Sequence, residues 1–406
     1  MEEIFITNIH INKVRHLENI DIPLSDTERK HLILTGKNGS GKTSVLEALR
    51  DFLWAVVKGR RLLKEQFQFS LQTRASVRLS QREGKQKDFL TEYNRLIDLD
   101  GGSSILKNIN LEVFGNEDEF LSDNKCVFAY FTARRNTSFE LPSGIKKIED
   151  DTNISYSSKK NLHFIQYLVN LQANKAFAQN DFEIQTVQNI DSWFVSFESR
   201  LKNLLHDESL SLHFDRVNYN YLIKIKNREA CNFNELPDGY SSVIDIISEL
   251  IMRMDSKSSA VYDLQGIVLI DEIETHLHID LQKKILPFLT SFFPKIQFIV
   301  TTHSPFVLSS VDNAVIYDLE KQIRVEDLSG YSYSNIVKSY FGADEYSAEL
   351  REKVSEYETL LNLNDLNLPQ KERLYELKLF FKELPKSLSP ELQLKISQLE
   401  LAELAA

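Results

Sequence analysis

The sequence predicts an α/β fold: a mostly parallel central sheet with an antiparallel β lobe, a helical insertion and a helical C-terminal extension. Three observations predict it. A glycine-rich stretch, Gly36-Lys37-Asn38-Gly39-Ser40-Gly41-Lys42-Thr43, stands between an apolar strand and a helix-spaced run. Two uninterrupted apolar runs, "GIVLIDE" and "IQFIVTTH", suit central strands covered on both faces. Before residue 35, "EIFITNIHI", "ENIDIPL" and "HLILTG" alternate apolar and polar positions, as strands with one wet face do.

In chain order, Val45, Leu46, Leu49 and Leu53 mark a helix over 43–57, and 1–57 forms the N-terminal part of the head. An insertion over 58–208 reads as mostly helical ("KNLHFIQYLVNLQANKAF"), broken by a head strand at about 125–135, "KCVFAYFTARR". The polar stretch 137–160 reads as a loop or poorly ordered link. Strand pattern returns over 209–233. Val243, Ile246, Ile247, Leu250 and Ile251 then give a helix before "GIVLIDE". The head closes at 343, and 344–406 carries charged, helical segments such as "SAELREKVSEYETLLN" and "KERLYELKLFFKEL".

A chain of 406 residues is long enough for two or three units, each burying its own core. No apolar run approaches the ~18 residues that span a bilayer, and the start, Met1-Glu2-Glu3-Ile4, lacks the pattern of a signal peptide. The two cysteines, Cys126 and Cys231, are far apart and have no metal spacing, which predicts a reducing, cytoplasmic setting. A net charge of -11 argues against coating nucleic acid over the whole surface. Residues 58–87 are the exception, with nine basic residues against two acidic ones. They read either as a solvated helical face or as a contact for phosphate or an acidic partner.

The stretch from Gly36 to Thr43, with Ser44 following, is G-x-x-x-x-G-K-T in the strand-to-helix context that gives the pattern meaning. Its glycines let backbone N–H groups turn inward onto phosphate oxygens at a helix N-terminus. Lys42 then reaches the β- and γ-phosphates of ATP, and the Thr43 hydroxyl holds Mg²⁺. "GIVLIDEIETHLH" runs an apolar strand into Asp271 and Glu272. Asp271 is placed for the magnesium shell, and Glu272 is placed to orient or deprotonate the attacking water. His303, ending the next strand in "TTHSP", can point at the γ-phosphate; a histidine read alone is more often structural, and its order after the other motifs decides for function.

These pieces in this order resemble ABC-type ATPases, especially their soluble SMC-like branch. "LIDEIETHLHIDLQKKILPFL" and "IQFIVTTHSPFVLSS" are similar to the Walker B and H-loop blocks of bacterial defence ATPases, those of Septu and retron PtuA, PARIS AriA and the overcoming-lysogenization nucleases. The resemblance covers about 1–57 and 209–320. It implies an ABC head that dimerises over ATP. It also implies a sensor or scaffold subunit that controls a separate nuclease effector from the same operon, with nucleic acid or a phage protein as trigger. A Toprim domain, a histidine-rich nuclease motif and a condensin-sized arm are all missing from the sequence pattern. A RecF-like repair ATPase gripping DNA with residues 58–87, and an ATP-bound scaffold that scarcely turns over, are the competing readings.

The family's signature falls at "LPDGY", Leu236 to Tyr240. Pro237 stands where the family carries its phosphate-contacting serine, and Asp238 where it carries the first glycine. The stretch is either a degenerate signature, with Asp238, Gly239 and Ser241 (or Ser242) meeting the partner's ATP, or a helix cap made by Asp238. The first reading predicts slow hydrolysis. "CVFAYFTARR" holds the Q-loop position without a glutamine. Arg134 and Arg135 contact phosphate or the arm there, or are ordinary surface arginines, and Gln66 and Gln68 are alternative Q-loop candidates. Arg15 or His16 is placed for adenine stacking. The pair His276-x-His278 corresponds to a structural Leu-His motif in the family rather than to a metal site.

Overall fold

The protein is described here from a computed structural model covering residues 3–55, 108–115, 126–135, 138–148, 159–255, 264–326, 328, 330, 348–361, 363 and 367–383. The basic segment 58–87 and Gln66 and Gln68 lie outside these residues. Two compact units divide the chain, Met1–Tyr331 and Ser332–Ala406.

In the first unit, β1 (Phe5–Val14) pairs antiparallel with β2 (Leu17–Pro23). After β3 (His31–Thr35), helix α1 is described over 42–55. Its apolar stripe, Val45, Leu46, Leu49 and Leu53, is buried between two sheets. Ile9, Ile11, Ile20 and Ile22 come from one side and Leu32, Leu34, Leu269 and Ile299 from the other. Each such side chain contributes about 1.5–3 kcal/mol when fully buried. The third strand of the antiparallel sheet, β4 (Ile109–Phe114), lies inside the segment expected to be mostly helical. Its alternating "INLEVF" pattern, with Ile109 buried against β1, marks it as a one-sided strand.

The central sheet adds β5 (Cys126–Phe131), β9 (Gln265–Ile270), β10 (Ile296–Thr301), β11 (Ala314–Asp318) and β12 (Ile323–Glu326), in the order β12-β11-β3-β10-β9-β5. All neighbours are parallel except the β11–β12 hairpin. Every residue of β9 and β10 is buried, as the two apolar runs predict. Two buried glutamines tie the sheets together. Gln297 accepts from the Ile6 backbone N–H at 2.7 Å and donates to the Ile6 carbonyl at 2.9 Å, while Gln265 accepts from the Ile4 N–H at 3.0 Å.

Helices α2 (Phe164–Asn180) and α3 (Ile184–Leu205) pair with each other and lead into the hairpins of β6 (Ser211–Asp215), β7 (Asn220–Lys224) and β8 (Cys231–Asn232). Phe139, from the non-helical stretch 138–148, packs into this lobe, tilted against Phe164 and edge-on to Phe233. Helix α4 (Asp238–Asp255) follows, with Val243, Ile246, Ile247, Leu250 and Ile251 all buried. Short helices α5 (Ile279–Gln282), α6 (Ile285–Phe292) and α7 (Pro305–Leu308) complete this unit.

In the second unit, α8 (Ala348–Leu361) and α9 (Leu368–Glu383) share a core of Val354, Tyr357, Leu360, Leu374, Leu377 and Phe381. Arg373 bridges Glu356 across the two helices at 2.9 and 3.0 Å. Among the described residues, no helix is long and apolar enough to cross a membrane.

Candidate functional site

The loop from Gly36 to Lys42 leaves β3 at its carboxyl end and enters α1, as the motif requires. Gly36, Gly39 and Gly41 adopt φ of 133°, 86° and 97°, a region that side chains rarely occupy. Space closes two of these positions as well. A Cβ on Gly36 would lie 2.8 Å from Ser40 Oγ, and one on Gly41 2.8 Å from Leu17 Cδ1. The β1–β2 turn therefore sits on the loop, and it carries the exposed Arg15 and His16, with His16 Cε1 3.5 Å from that same point. This is the position assumed for adenine stacking. On the other side, exposed Lys37 bonds Glu320 at 2.9 Å, so the β11–β12 turn also borders the loop. Asn38 and Gly39 are exposed at its crest, whereas Ser40 and Ser44 are buried.

Lys42 is buried, and its ammonium donates to the carbonyls of Gly36 at 2.9 Å and Lys37 at 3.1 Å. Burial pulls its pKa below the ordinary lysine value, while Glu272, Glu274 and Asp271 pull it back up. Parallel pairing of β3, β10 and β9 brings Asp271 to the same end of the sheet. The Thr43 hydroxyl donates to both carboxylate oxygens of Asp271, at 3.2 and 3.1 Å. Two residues 228 positions apart thus meet as the motif order predicts. The glycine cradle, the orphaned buried Ser40 Oγ and this hydroxyl–carboxylate pair suit a phosphate chain and a hard divalent cation.

Three side chains complete the Walker B turn, and sequence reasoning missed the roles of all of them. Thr301, fully buried at the end of β10, donates to Asp271 Oδ1 at 2.6 Å and accepts the Glu272 N–H at 2.7 Å. Glu274 accepts the His303 N–H at 2.6 Å, and its other oxygen is buried without a hydrogen-bond partner among the described residues. The third is Arg135. Glu272 itself has φ of 43°, a left-handed conformation that costs a non-glycine residue about 1–2 kcal/mol. His303 is half-buried; desolvation and the charge of Lys42 lower its pKa, while Glu274, Glu272 and Asp271 pull it back up.

Residues 32–309, more than half of the chain, match the family described as "AAA domain, putative AbiEii toxin, Type IV TA system". The chain belongs to this AAA-domain family. It is a P-loop ATPase. Septu protein PtuA of Bacillus mycoides (strain KBAB4) is 26% identical over 398 residues, 92% of this chain and 50% of that protein. The retron Ec83 probable ATPase of Escherichia coli is 29% identical over 204 residues, 49% of this chain and 36% of that protein. The chain therefore spans about half the length of the first of these relatives and about a third of the second. A solved Smc head bound to the C-winged helix domain of ScpA aligns over 79% of this chain and 96% of that one, at 13% identity and a TM-score of 0.39.

Within the AAA domain two expectations need correction. Arg135 is not a surface arginine. It is 5% exposed, and its guanidinium is surrounded by carbonyls of the chain itself. Arg134 is exposed. Asp238 does not cap α4. The first helical bond runs from the Ser241 N–H to the Pro237 carbonyl at 2.9 Å, which makes Pro237 the cap position and Asp238 the first helical residue. Proline can accept that bond with its carbonyl, and the N–H it lacks would have pointed away from the helix.

Gly239 has a role inside the chain: a Cβ there would lie 3.1 Å from the His276 carbonyl. The α4 N-terminus thus packs on the segment after the Walker B turn, with Asp238 exposed and Ser241 half-buried. His276 has φ of 66°, and exposed His278 lies 3.8 Å from Asp280.

Proposed function

We propose that this chain is an ATP-binding, slowly ATP-hydrolysing head that dimerises over ATP. In this reading it is the sensor and scaffold subunit of a bacterial anti-phage system and controls a separate nuclease effector. The observation that carries the reading is the meeting of the Thr43 hydroxyl with the Asp271 carboxylate, with Lys42, Glu272 and His303 close enough to influence one another's charge. The loop N–H groups and Lys42 bind the phosphates, and Thr43 and Asp271 hold Mg²⁺. Glu272 orients the attacking water, and His303 offers a hydrogen bond near the γ-phosphate. Relatives named Septu PtuA and retron ATPase support the defence role.

Dimerisation places the α4 N-terminus over the partner's ATP, where Asp238, Gly239 and Ser241 border the nucleotide. Pro237 supplies neither a hydroxyl nor an N–H at the family's serine position, so closure is weak and turnover slow. The test is native mass spectrometry of Glu272→Gln protein purified in Mg-ATP from cells carrying the native locus. An even copy number with a second, stoichiometric protein is expected. A bare dimer retaining DNA would favour the repair reading, and a bare monomer would overturn dimerisation.

A further inference from the structure

The guanidinium of Arg135 occupies an unusual place for a side chain that follows an edge strand. It stands four residues beyond Phe131, the last residue of β5, whose carbonyl accepts the Asp271 N–H at 2.8 Å, and it turns under the Walker B turn. Nη1 donates to the carbonyls of Asp271 at 3.0 Å and Thr132 at 3.3 Å. Nη2 donates to those of Glu272 at 3.0 Å, Ile273 at 3.2 Å and Thr275 at 3.4 Å. Nε points the other way and donates to Oγ of Ser242, the fifth residue of α4, at 2.8 Å. Ser242 is 2% exposed. One planar, five-donor group therefore joins the backbone of the Walker B turn to the helix that carries the signature.

The turn requires such support. Glu272 is left-handed, and a strained non-glycine residue persists only where its surroundings over-determine it. Thr301 fixes its N–H, and Arg135 fixes its carbonyl. With both backbone ends held, the Glu272 carboxylate starts from a set direction, and its Oε2 accepts from the Thr275 hydroxyl at 3.2 Å.

We propose that Arg135 is a positioning residue for hydrolysis: it sets Glu272 through the backbone and makes that setting depend on where Ser242, and so α4, stands. The proposal rests on the reading of Glu272 as the water-orienting carboxylate. A shift of the α4 N-terminus moves Ser242 Oγ against Nε. The rigid fork of the guanidinium then carries that displacement to the carbonyls of Asp271 and Glu272. Lysine cannot substitute, because a single ammonium reaches one or two of these acceptors but not both sides at once.

The experiment compares Arg135→Lys, Ser242→Ala, the double variant and Glu272→Gln in the full chain, by single-turnover ATP hydrolysis and by titration of a fluorescent ATP analogue. Arg135→Lys is expected to slow hydrolysis at least tenfold while nucleotide affinity stays within twofold. Ser242→Ala is expected to slow it several-fold, and the double variant to be no slower than Arg135→Lys alone. Hydrolysis within twofold of wild type in Arg135→Lys would overturn the proposal. So would a loss of affinity at unchanged rate, which marks a phosphate contact, or independent, multiplying effects of the two substitutions. If Arg135→Lys does not fold, wild-type hydrolysis by Ser242→Ala overturns it instead. Glu272→Gln separates the two layers: full activity there defeats the underlying assignment, whereas abolished activity with an indifferent Arg135 defeats only the coupling.

Discussion

Replacing Thr301 by valine tests whether the Walker B turn is held from β10. Valine keeps the branched Cβ and nearly the volume, so the fully buried strand end packs as before. What disappears is a bond to the Asp271 carboxylate at 2.6 Å and the acceptor for the Glu272 N–H at 2.7 Å. A hydrogen bond to a charged group contributes about 1.5–3 kcal/mol, and a buried N–H left without a partner costs about 1–3 kcal/mol. Thr43 still reaches Asp271, which favours the lower half of the sum, about 3 kcal/mol. At about 2 °C per kcal/mol for a unit this large, the unfolding temperature should fall by roughly 6 °C. Thr301→Ser retains both bonds, loses one methyl and should fall by roughly 2 °C. Thermal unfolding of both variants, with single-turnover hydrolysis alongside, gives the comparison; the valine variant should also hydrolyse at least tenfold more slowly than the serine one. Equal melting and equal rates in the two variants would refute the argument that these bonds hold the site.

Two further perturbations address the loop and the core beneath it. Gly41→Ala puts a Cβ 2.8 Å from Leu17 at a φ of 97°, so nucleotide affinity should drop at least tenfold in a fluorescent-ATP titration; wild-type affinity would show that the β1–β2 turn yields freely. Burial depresses the pKa of His31 from 6.5 to about 4, and its Nδ1 accepts the Phe298 N–H at 3.1 Å. The unfolded chain then takes up a proton that the folded chain refuses. Stability should therefore fall by about 3 kcal/mol as the pH drops from 6.5 through 4. Denaturant titrations across that window should show a flatter profile in His31→Gln, and an unchanged slope would remove His31 as its source.

The parts of the site that were legible in the sequence are those whose chemistry is local. Gly36, Gly39 and Gly41 are required by backbone angles within one loop, and Asp271 follows its own apolar strand directly. The parallel sheet was legible because strands buried on both faces leave unbroken apolar runs. Arg135 was not legible: apart from the Thr132 carbonyl its partners lie 107 to 140 positions away, and nothing in "TARR" distinguishes a buried arginine from an exposed one. Thr301 and Glu274 were hidden similarly, since their bonds exist only once β9 and β10 pair. β4 is six residues long and lies in a segment whose other apolar spacing suggests helix. The cap of α4 was misplaced by one residue because aspartate is a strong cap signal, while Pro237 caps only through its backbone.

Two of the first unit's left-handed non-glycine residues lie on the Walker B turn. Glu272 and His276 are both left-handed, four positions apart, and every anchor on that turn comes from a different element. Thr301 holds it from β10, and Arg135 from the loop after β5. Gly239 of α4 packs against the His276 carbonyl so closely that its own missing Cβ is part of the fit. A turn with unstrained angles could relax independently of its neighbours. This one is kept in place by α4 and by two strand ends, so it cannot keep its geometry if α4 shifts. The carboxylate of Glu272 is thereby tied, in the proposed dimer, to the position of the helix that would meet a second nucleotide.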